Sequence, residues 1–560
     1  MVKERAVMDI RFPLGIDSFS EVRDGDYYYV DKTEMIRELL NKGFQANLVT
    51  RPRRFGKTLT MSMLEDFLDI RRDSSAHFAG LQVTEDEGFC RVWMNQWPVL
   101  FLTFKDVDGR NFPLAYERLE ILLSDFCVKN SYLAQSDLVN MEDQKGFQRL
   151  LEKRASEAEL GNSLFLLTRL MCSYYGKPVV LLLDEYDVPL AKASEFGYYT
   201  QMLDLIRALM GKALKTNEFL KLAVVTGCLR IAKESIFTGT NHFVTDAITG
   251  DRFNEYLGFT ETEVRKLLVD AGLAGHEEEM KRWYDGYCFG EIDVYCPWDV
   301  LNHASALQGN SERKPKNYWG STSHNNIIYQ FISREELDVN QKLEALLAGA
   351  CIWEEITDEL TYDTLHSTEK NLWSLLYLTG YLTLAKEEQS YENKLALRIP
   401  NEEVKSIFKT AIVEWFYASV QTKDRGELFG ALWSGNTDRA AVLISDILFE
   451  TISYHDYAES YYHAFIAGIF AGAGYVVESN AEYGTGRPDV VVKDRKNRRA
   501  IVMEMKRAPC MEKMSAACDC AVEQIRERKY CRGIEHGYRD VTAYGIAFYG
   551  KECMMKILEE

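Results

Sequence analysis

The segment Arg51-Pro-Arg-Arg-Phe-Gly-Lys-Thr58 places a glycine, a lysine and a hydroxyl in succession, after a strand-like run and before a helical pattern over Leu59 to Ile70. In that context the backbone N–H groups of Arg54, Phe55 and Gly56 would face a phosphate at a helix N-terminus, where the orphan donors and the helix dipole favour an anion. Lys57 would reach the β- and γ-phosphates of ATP, and the Thr58 hydroxyl would ligate Mg²⁺. The full pattern wants glycine where Arg51 stands, and a Gly-Lys-Thr triplet alone can be a basic turn before a helix. Two further segments change that balance. The apolar run Val179 to Leu183 ends in Asp184-Glu185, where Asp184 would hold Mg²⁺ through water and Glu185 would polarise an attacking water. Another apolar run ends at Thr226, followed by Gly227-Cys-Leu-Arg230. Thr226 then stands where a γ-phosphate sensor would lie, and Arg230 is a weaker phosphate contact. The three segments, each at the C-terminal end of a strand, match where open α/β sheets bind ligands.

A second constellation lies near the C-terminus. Pro488-Asp489 precedes Val490 to Val492, and a charged turn leads into Ala500-Ile-Val-Met-Glu504-Met-Lys506. Residues two apart on a strand share a face, so Glu504 and Lys506 point together and Met505 points away. If the two runs form a hairpin, Asp489 approaches Glu504, and two converging carboxylates make an oxygen-rich site suited to Mg²⁺ or Mn²⁺. Such an ion would polarise a scissile phosphate and acidify a bound water, and Lys506 could orient that water or stabilise developing negative charge. A Glu-x-Lys pair can instead be a surface ion pair worth about 0–1 kcal/mol. The apolar residues on both faces of these runs argue that the strands are buried, where unpaired carboxylates need a cation. On the preceding helical stretch Glu459 could add an acidic metal ligand, with His463 a packing residue on the same face. On the following one Gln524 could orient water or phosphate, and Arg526, Arg528 and Lys529 could hold a nucleic-acid backbone.

The elements that must position these residues are legible as patterns. The runs Ala46–Val49, Pro98–Phe104, Val179–Leu183 and Leu222–Thr226 read as buried strands, with helical periodicity between them at Phe165–Tyr175 and Met202–Ala213. Strands alternating with helices predict a mostly parallel sheet with crossover helices. From 254 to 440 helical patterns dominate, and from 455 a helix at Tyr457–Ala471 precedes strands at Tyr475–Glu478, Asp489–Val492 and Ala500–Met505, a helix at Ala516–Tyr530 and a last strand at Ala543–Tyr549.

The chain of 560 residues is too long for one core, and 46% hydrophobic residues suffice for packed domains. No apolar run approaches the roughly 18 residues of a membrane span, and no secretory signal opens the chain, so a soluble cytoplasmic protein is expected. The 12 cysteines show no disulfide framework. A metal cluster at Cys510, Cys518, Cys520 and Cys531 is disfavoured because no C-x-x-C pair occurs. The net charge is −19, yet residues 484–532 hold 13 Lys/Arg against 7 Asp/Glu, as a phosphate-backbone binder would on an acidic chain. A solvated charged face would look the same.

The chain resembles a bacterial family that joins an AAA-ATPase-like N-terminal domain to a C-terminal PD-(D/E)xK nuclease-superfamily domain. The resemblance rests on Phe12-Pro-Leu-Gly-Ile-Asp17, Tyr28-Tyr-Val-Asp-Lys-Thr33, Arg51 to Thr58, Leu183-Asp-Glu-Tyr-Asp-Val-Pro189, Thr226 to Arg230, Trp283-Tyr-Asp-Gly-Tyr287, Cys296-Pro-Trp298, Gly486-Arg-Pro-Asp489 and Tyr544-Gly-Ile-Ala-Phe-Tyr549. Arg51 in place of glycine looks like the family's own habit. The resemblance implies an α/β multidomain protein: a P-loop NTPase parallel sheet with flanking helices (1–250), a helical lid-like middle region (251–440) and a restriction-endonuclease-like α/β domain (441–560). It puts Asp489, Glu504 and Lys506 at the superfamily's catalytic positions, Glu459 at its helical acid and Gln524 as a helper. The expected function is ATP-regulated, Mg²⁺- or Mn²⁺-dependent phosphodiester hydrolysis in DNA or RNA. The rival is a nucleotide-dependent scaffold with an inactive nuclease fold. Expected partners are nucleic acid and ATP, without a membrane; the ATPase resemblance also allows a homo-oligomer.

Overall fold

The computed structural model describes residues 10–230, 243–320, 340–358, 360, 368–388, 391, 393–421, 426–449, 462, 465–467, 469–470, 473–479, 483, 486–534 and 537–558. The chain divides into two compact units, one of residues 1–322 and 353–404 and the other of 323–352 and 405–560. The stretch 251–440 is therefore shared between them.

In the first unit, β1 (Ala46–Thr50), β2 (Val99–Thr103), β3 (Val179–Asp184), β4 (Leu220–Gly227) and β5 (Phe243–Asp246) form a sheet in the order β2-β3-β4-β1-β5. All four pairings are parallel, which demands covered faces and explains the continuous apolar runs. The two-residue side-chain period sorts each strand between two cores. Leu181 and Leu183 pack with Leu48, Leu102 and Val225 under the helices Phe112–Lys129, Ser163–Tyr175 and Tyr199–Leu214. Val180 and Leu182 pack with Val49, Val99 and Val224 under the helices Glu34–Asn41 and Lys57–Leu68. Since β4 lies between β1 and β3, the strand ends bearing Arg51, Asp184 and Thr226 are neighbours.

The rest of this unit is mainly helical, as expected, but it also holds short strands that the periodicity did not reveal. β6 (Tyr287–Phe289) and β7 (Ile292–Val294) form an antiparallel pair. β8 (Ile352–Glu355), β9 (Thr383–Leu384) and β10 (Lys394–Arg398) form a sheet in the order β8-β10-β9. Gly286 enters β6 with φ +92, and a Cβ there would stand 2.2 Å from the Pro400 carbonyl oxygen, so only glycine fits.

In the second unit, β11 (Val476–Ser479), β12 (Val490–Asp494), β13 (Arg499–Arg507), β14 (Asp540–Tyr549) and β15 (Glu552–Ile557) form a sheet in that order. β12 and β13 make the expected hairpin, β13 and β14 are parallel, and the remaining pairs are antiparallel. The final strand is β15, not Ala543–Tyr549, which corresponds to β14. Val490, Val492, Met503 and Met505 face a core with the helices Gly426–Ser434 and Thr437–Phe449, while Val491, Val502 and Ile525 pack on the other face. Glu504 and Lys506 thus share the face covered by the helix Met514–Arg528. Gly545 allows that helix to approach β14, because a Cβ would lie 2.7 Å from the Cys518 carbonyl oxygen. Among the described residues no helix is long and apolar enough to cross a membrane.

Candidate functional site

In the first unit the phosphate-loop turn is built on two left-handed residues, Arg54 (φ 71) and Gly56 (φ 82), directly before the helix Lys57–Leu68. Successive N–H groups in such a turn form an anion-binding concavity. Thr58 Oγ1 donates to Asp184 Oδ2 at 2.8 Å, and Thr226 Oγ1 donates to Asp184 Oδ1 at 2.5 Å. The residues expected to share a magnesium-dependent phosphate site therefore meet at one carboxylate. Thr103, which sequence reasoning passed over, adds its hydroxyl to Asp184 at 3.5 Å. Its signal was its place at the end of an apolar strand, the same place that marked Asp184 and Thr226.

Lys57 Nζ donates to the carbonyls of Arg51 and Pro52 at 3.0 and 2.8 Å. Glu185 has φ 53; burial pushes its carboxyl up, Lys57 pulls it down, and Asp184 and Asp187 push it up further. Asp187 accepts from the backbone N–H groups of Cys228 and Leu229 at 3.0 and 3.1 Å, tying the end of β3 to the loop that carries Arg230. Arg230 is half-buried at the end of that loop.

Two arginines of the phosphate loop have structural partners. Arg51 is fully buried and donates to the carbonyls of Thr50, Asp246 and Arg252 and to Asn254 Oδ1, all within 2.9 Å. Burial pushes its guanidinium down to about 10. It is a pin beneath the loop, which explains why a bulky residue stands where glycine was expected. Arg54 sends its guanidinium to the Tyr318 carbonyl at 2.7 Å and over the Trp298 ring at 5.2 Å. Phe55 is buried against Tyr287 and Phe289, with ring centroids 5.0 Å away in both cases. Arg54 and Phe55 thus offer the turn their backbone, while their side chains anchor it.

In the second unit the hairpin register sets Val490 opposite Met503, so Asp489 and Glu504 follow at the same end of the pair. Asp489 Oδ2 accepts from the Met505 N–H at 2.8 Å. Glu504 is 2% exposed. Its Oε1 accepts from Lys506 Nζ at 3.0 Å and from Gln524 Nε2, while its Oε2 is buried with no hydrogen-bond partner among the described residues. Burial first and the charge of Asp489 second push Glu504 up to about 7, against the pull of Lys506 and of a hydrogen bond from the Asp489 backbone. Tyr530 closes the edge: Gln524 Nε2 lies 3.4 Å from its hydroxyl, which donates to the Arg487 carbonyl at 3.3 Å. Tyr530 was missed as a site residue because its role depends on a turn after the helix.

The structure therefore brings Asp489, Glu504, Lys506 and Gln524 together, while Glu459 and His463 lie outside the described residues. Among the described residues no group of three or more His, Cys, Asp or Glu is arranged to hold a metal. The donor set in view is two carboxylates, and the partnerless Glu504 oxygen is the feature that fits a divalent cation. Beyond this site, Arg495, Lys496, Arg498 and Arg539 are exposed, and the Arg539 N–H donates to the Arg498 carbonyl at 2.7 Å. They form a basic edge at the far end of β12 and β13.

Two family models match separate parts of the chain. Residues 13–237 match the family model described as a predicted AAA-ATPase, and residues 457–557 match a model of the PD-(D/E)XK nuclease superfamily. A protein from the vnfD 5′ region of Azotobacter chroococcum mcd 1 is 26% identical over 495 residues, spanning 86% of this chain and 87% of that one. A Walker-type ATPase of Pyrococcus abyssi is similar over 72% of this chain and 99% of its own, at 15% identity and a TM-score of 0.34. The chain thus carries an AAA-ATPase-like domain at residues 13–237 and a PD-(D/E)XK nuclease-superfamily domain at residues 457–557.

Proposed function

We propose that this protein binds ATP in its first unit and hydrolyses phosphodiester bonds of nucleic acid in its second, with the nucleotide controlling cleavage. The observation that carries the nuclease reading is Glu504: a buried carboxylate beside Asp489, held on one oxygen by Lys506 and Gln524 and partnerless among the described residues on the other. A buried charge left in that state is costly, and a divalent cation between Asp489 and Glu504 would remove the cost. When bound, Mg²⁺ or Mn²⁺ would supply Lewis acidity at a phosphate oxygen and acidify water. Lys506, fixed by its ion pair with Glu504, would stabilise negative charge on the phosphate. Gln524 would orient the nucleophilic water or a phosphate oxygen. The basic edge at Arg495, Lys496, Arg498 and Arg539 would hold the backbone of DNA or RNA.

In the first unit the N–H groups of Arg54 to Gly56 and the Lys57 ammonium would cradle ATP phosphates. Thr58 and Asp184 would hold Mg²⁺, Thr226 would report on the γ-phosphate, Arg230 would contact it, and Glu185 would polarise the attacking water. The test is a panel of end-labelled single- and double-stranded DNA and RNA with Mn²⁺ or Mg²⁺, with and without ATP, in wild type and Lys57→Ala. Metal-dependent cleavage that responds to ATP only in the wild type is expected. Cleavage indifferent to ATP would remove nucleotide control. Nucleotide-dependent binding without turnover would replace the nuclease with a scaffold.

A further inference from the structure

Two of the sequence motifs, Trp283-Tyr-Asp-Gly-Tyr287 and Cys296-Pro-Trp298, have no part in either site, yet they build the ground on which the phosphate loop stands. Cys296 caps the helix Pro297–Gly309, with proline at its first position and Asp299 in its first turn. The Asp285 carbonyl accepts from Asn401 Nδ2 at 2.8 Å, and Asn401 Oδ1 accepts from the Val404 N–H at 3.0 Å. This caps the helix Glu402–Gln421, whose first turn carries Glu403. Two helix N-termini thus each present one acid to the same interior. Both Asp299 and Glu403 are 0% exposed.

Glu403 Oε1 accepts from the N–H groups of Tyr318 and Trp319 at 2.6 and 2.9 Å. With both acids ionised, neither Asp299 oxygen has an N–H or O–H partner among the described residues, and the neighbouring Cys296 thiol is only a weak donor to it. Buried polar groups in that position call for an explanation, and a proton on Glu403 donated to Asp299 supplies it. Helix dipoles favour negative charge at both places, but two adjacent buried carboxylates cannot both ionise. Burial and the charge of Asp299 accordingly push Glu403 up, the direction that lets one proton serve both acids.

Both acids act electrostatically on the phosphate loop through Arg54. Of the charges that act on the Arg54 guanidinium, that of Asp299 is the strongest, and Glu403 acts in the same sense. Arg54 is also bound to the Tyr318 carbonyl, on the same peptide segment that Glu403 grips, and the Cys296 thiol points to the Arg54 carbonyl at 3.8 Å. Arg54 is the loop residue held at φ 71, a conformation that persists in a non-glycine residue when its surroundings over-determine it.

We propose that Asp299 and Glu403, sharing one proton where two helices begin, are positioning residues for the phosphate loop: their single charge fixes Arg54 and so aims the loop's N–H groups at phosphate. This rests on the nucleotide-binding reading of the first unit. The test is titration of a fluorescent ATP analogue with Mg²⁺ into the full chain, with thermal melting of every variant. Asp299→Asn and Arg54→Gln should each weaken binding about 10-fold. The double variant should be no weaker than either alone, because one acts through the other. Glu403→Gln should bind within about 3-fold of wild type, since a neutral donor replaces a neutral donor. A purely structural role would lower melting temperature without this non-additivity. Unchanged affinity in Asp299→Asn, or additive losses in the double variant, overturns the proposal while Lys57→Ala still loses binding. A wild-type chain that binds no analogue overturns the nucleotide reading and the proposal together.

Discussion

Asp184 and Glu504 are both buried acids set among strand ends or sheet residues, and they are treated oppositely by their surroundings. Asp184 sits at the C-terminal edge of a parallel sheet, where neighbouring strands all end at one level, and both its oxygens accept hydroxyls from Thr58, Thr226 and Thr103. Glu504 sits inside a central strand of a mixed sheet. One of its oxygens has two donors and the other has none among the described residues. Neutral hydroxyls satisfy the first acid without compensating its charge, and they can turn to a cation or a phosphate. The second is paired with a lysine but still lies beside a second carboxylate. On the proposed reading, the contrast separates a site that would exchange its ligand from one that a cation would complete.

The largest expected effects fall on the incomplete site. Lys506→Ala should lower metal-dependent cleavage by about 10²–10³-fold, measured as single-turnover rates on an end-labelled substrate, with the far-UV circular dichroism unchanged. Loss of cleavage with loss of the fold would instead make Lys506 a structural partner of Glu504. Next comes the hydroxyl-lined site. Lys57→Ala should weaken ATP at least about 10-fold in a binding titration, without changing metal-dependent cleavage measured in the absence of nucleotide. A cleavage defect there would join the two sites more tightly than the present account allows.

A third prediction sharpens the electrostatic difference. Glu504 is pushed from 4.5 up to about 7, so the folded state holds this proton more tightly than the unfolded chain. Its contribution favours the folded state below about pH 4.5 and is lost as pH rises through 7. In EDTA, Glu504→Gln should therefore be more stable than wild type at pH 8, by up to about 3 kcal/mol. The advantage should vanish near pH 4.5, as read by denaturant unfolding. Mg²⁺ should stabilise wild type at pH 8 and have less effect on the variant. Equal pH dependence of the two proteins would show that Glu504 is not electrostatically frustrated. The smallest effect belongs to the basic edge. Replacing Arg495, Lys496 and Arg498 together by glutamine should weaken nucleic-acid binding across all sequences and reduce the slope of log K against log salt by about 2 to 3. An unchanged slope would leave those residues as a solvated turn.

Much of both sites was legible because it is local. A glycine, lysine and threonine at a strand-to-helix junction, and an acid at the end of an apolar run, announce themselves through backbone geometry and the two-residue strand period. The β12–β13 hairpin was legible for the same reason, since the spacing of Glu504 and Lys506 fixes their common face. What was not legible depends on distant segments meeting. Asp299 and Glu403 look like ordinary first-turn acids on their own helices, and only their convergence makes them a proton-sharing pair. Arg51 reads only as a residue out of place for a phosphate loop until the carbonyls of Thr50, Asp246 and Arg252 are seen to enclose it. The short strands β6 to β10 escaped because runs of two to five residues carry too little periodicity to outweigh the surrounding helical pattern. The final strand, Glu552-Cys-Met-Met-Lys-Ile557, has almost no β-branched residues and pairs by virtue of the Gly550 turn (φ +59).

The central claim is that Asp489 and Glu504 form a cleavage centre completed by a divalent cation. The most direct measurement is the rate at which purified wild type and Asp489→Ala cut one labelled nucleic acid in Mn²⁺, each repeated in EDTA. The wild type should cut in Mn²⁺ alone and the variant under neither condition; equal cutting by both proteins, or cutting that survives EDTA, would rule out a metal-completed centre at Asp489 and Glu504.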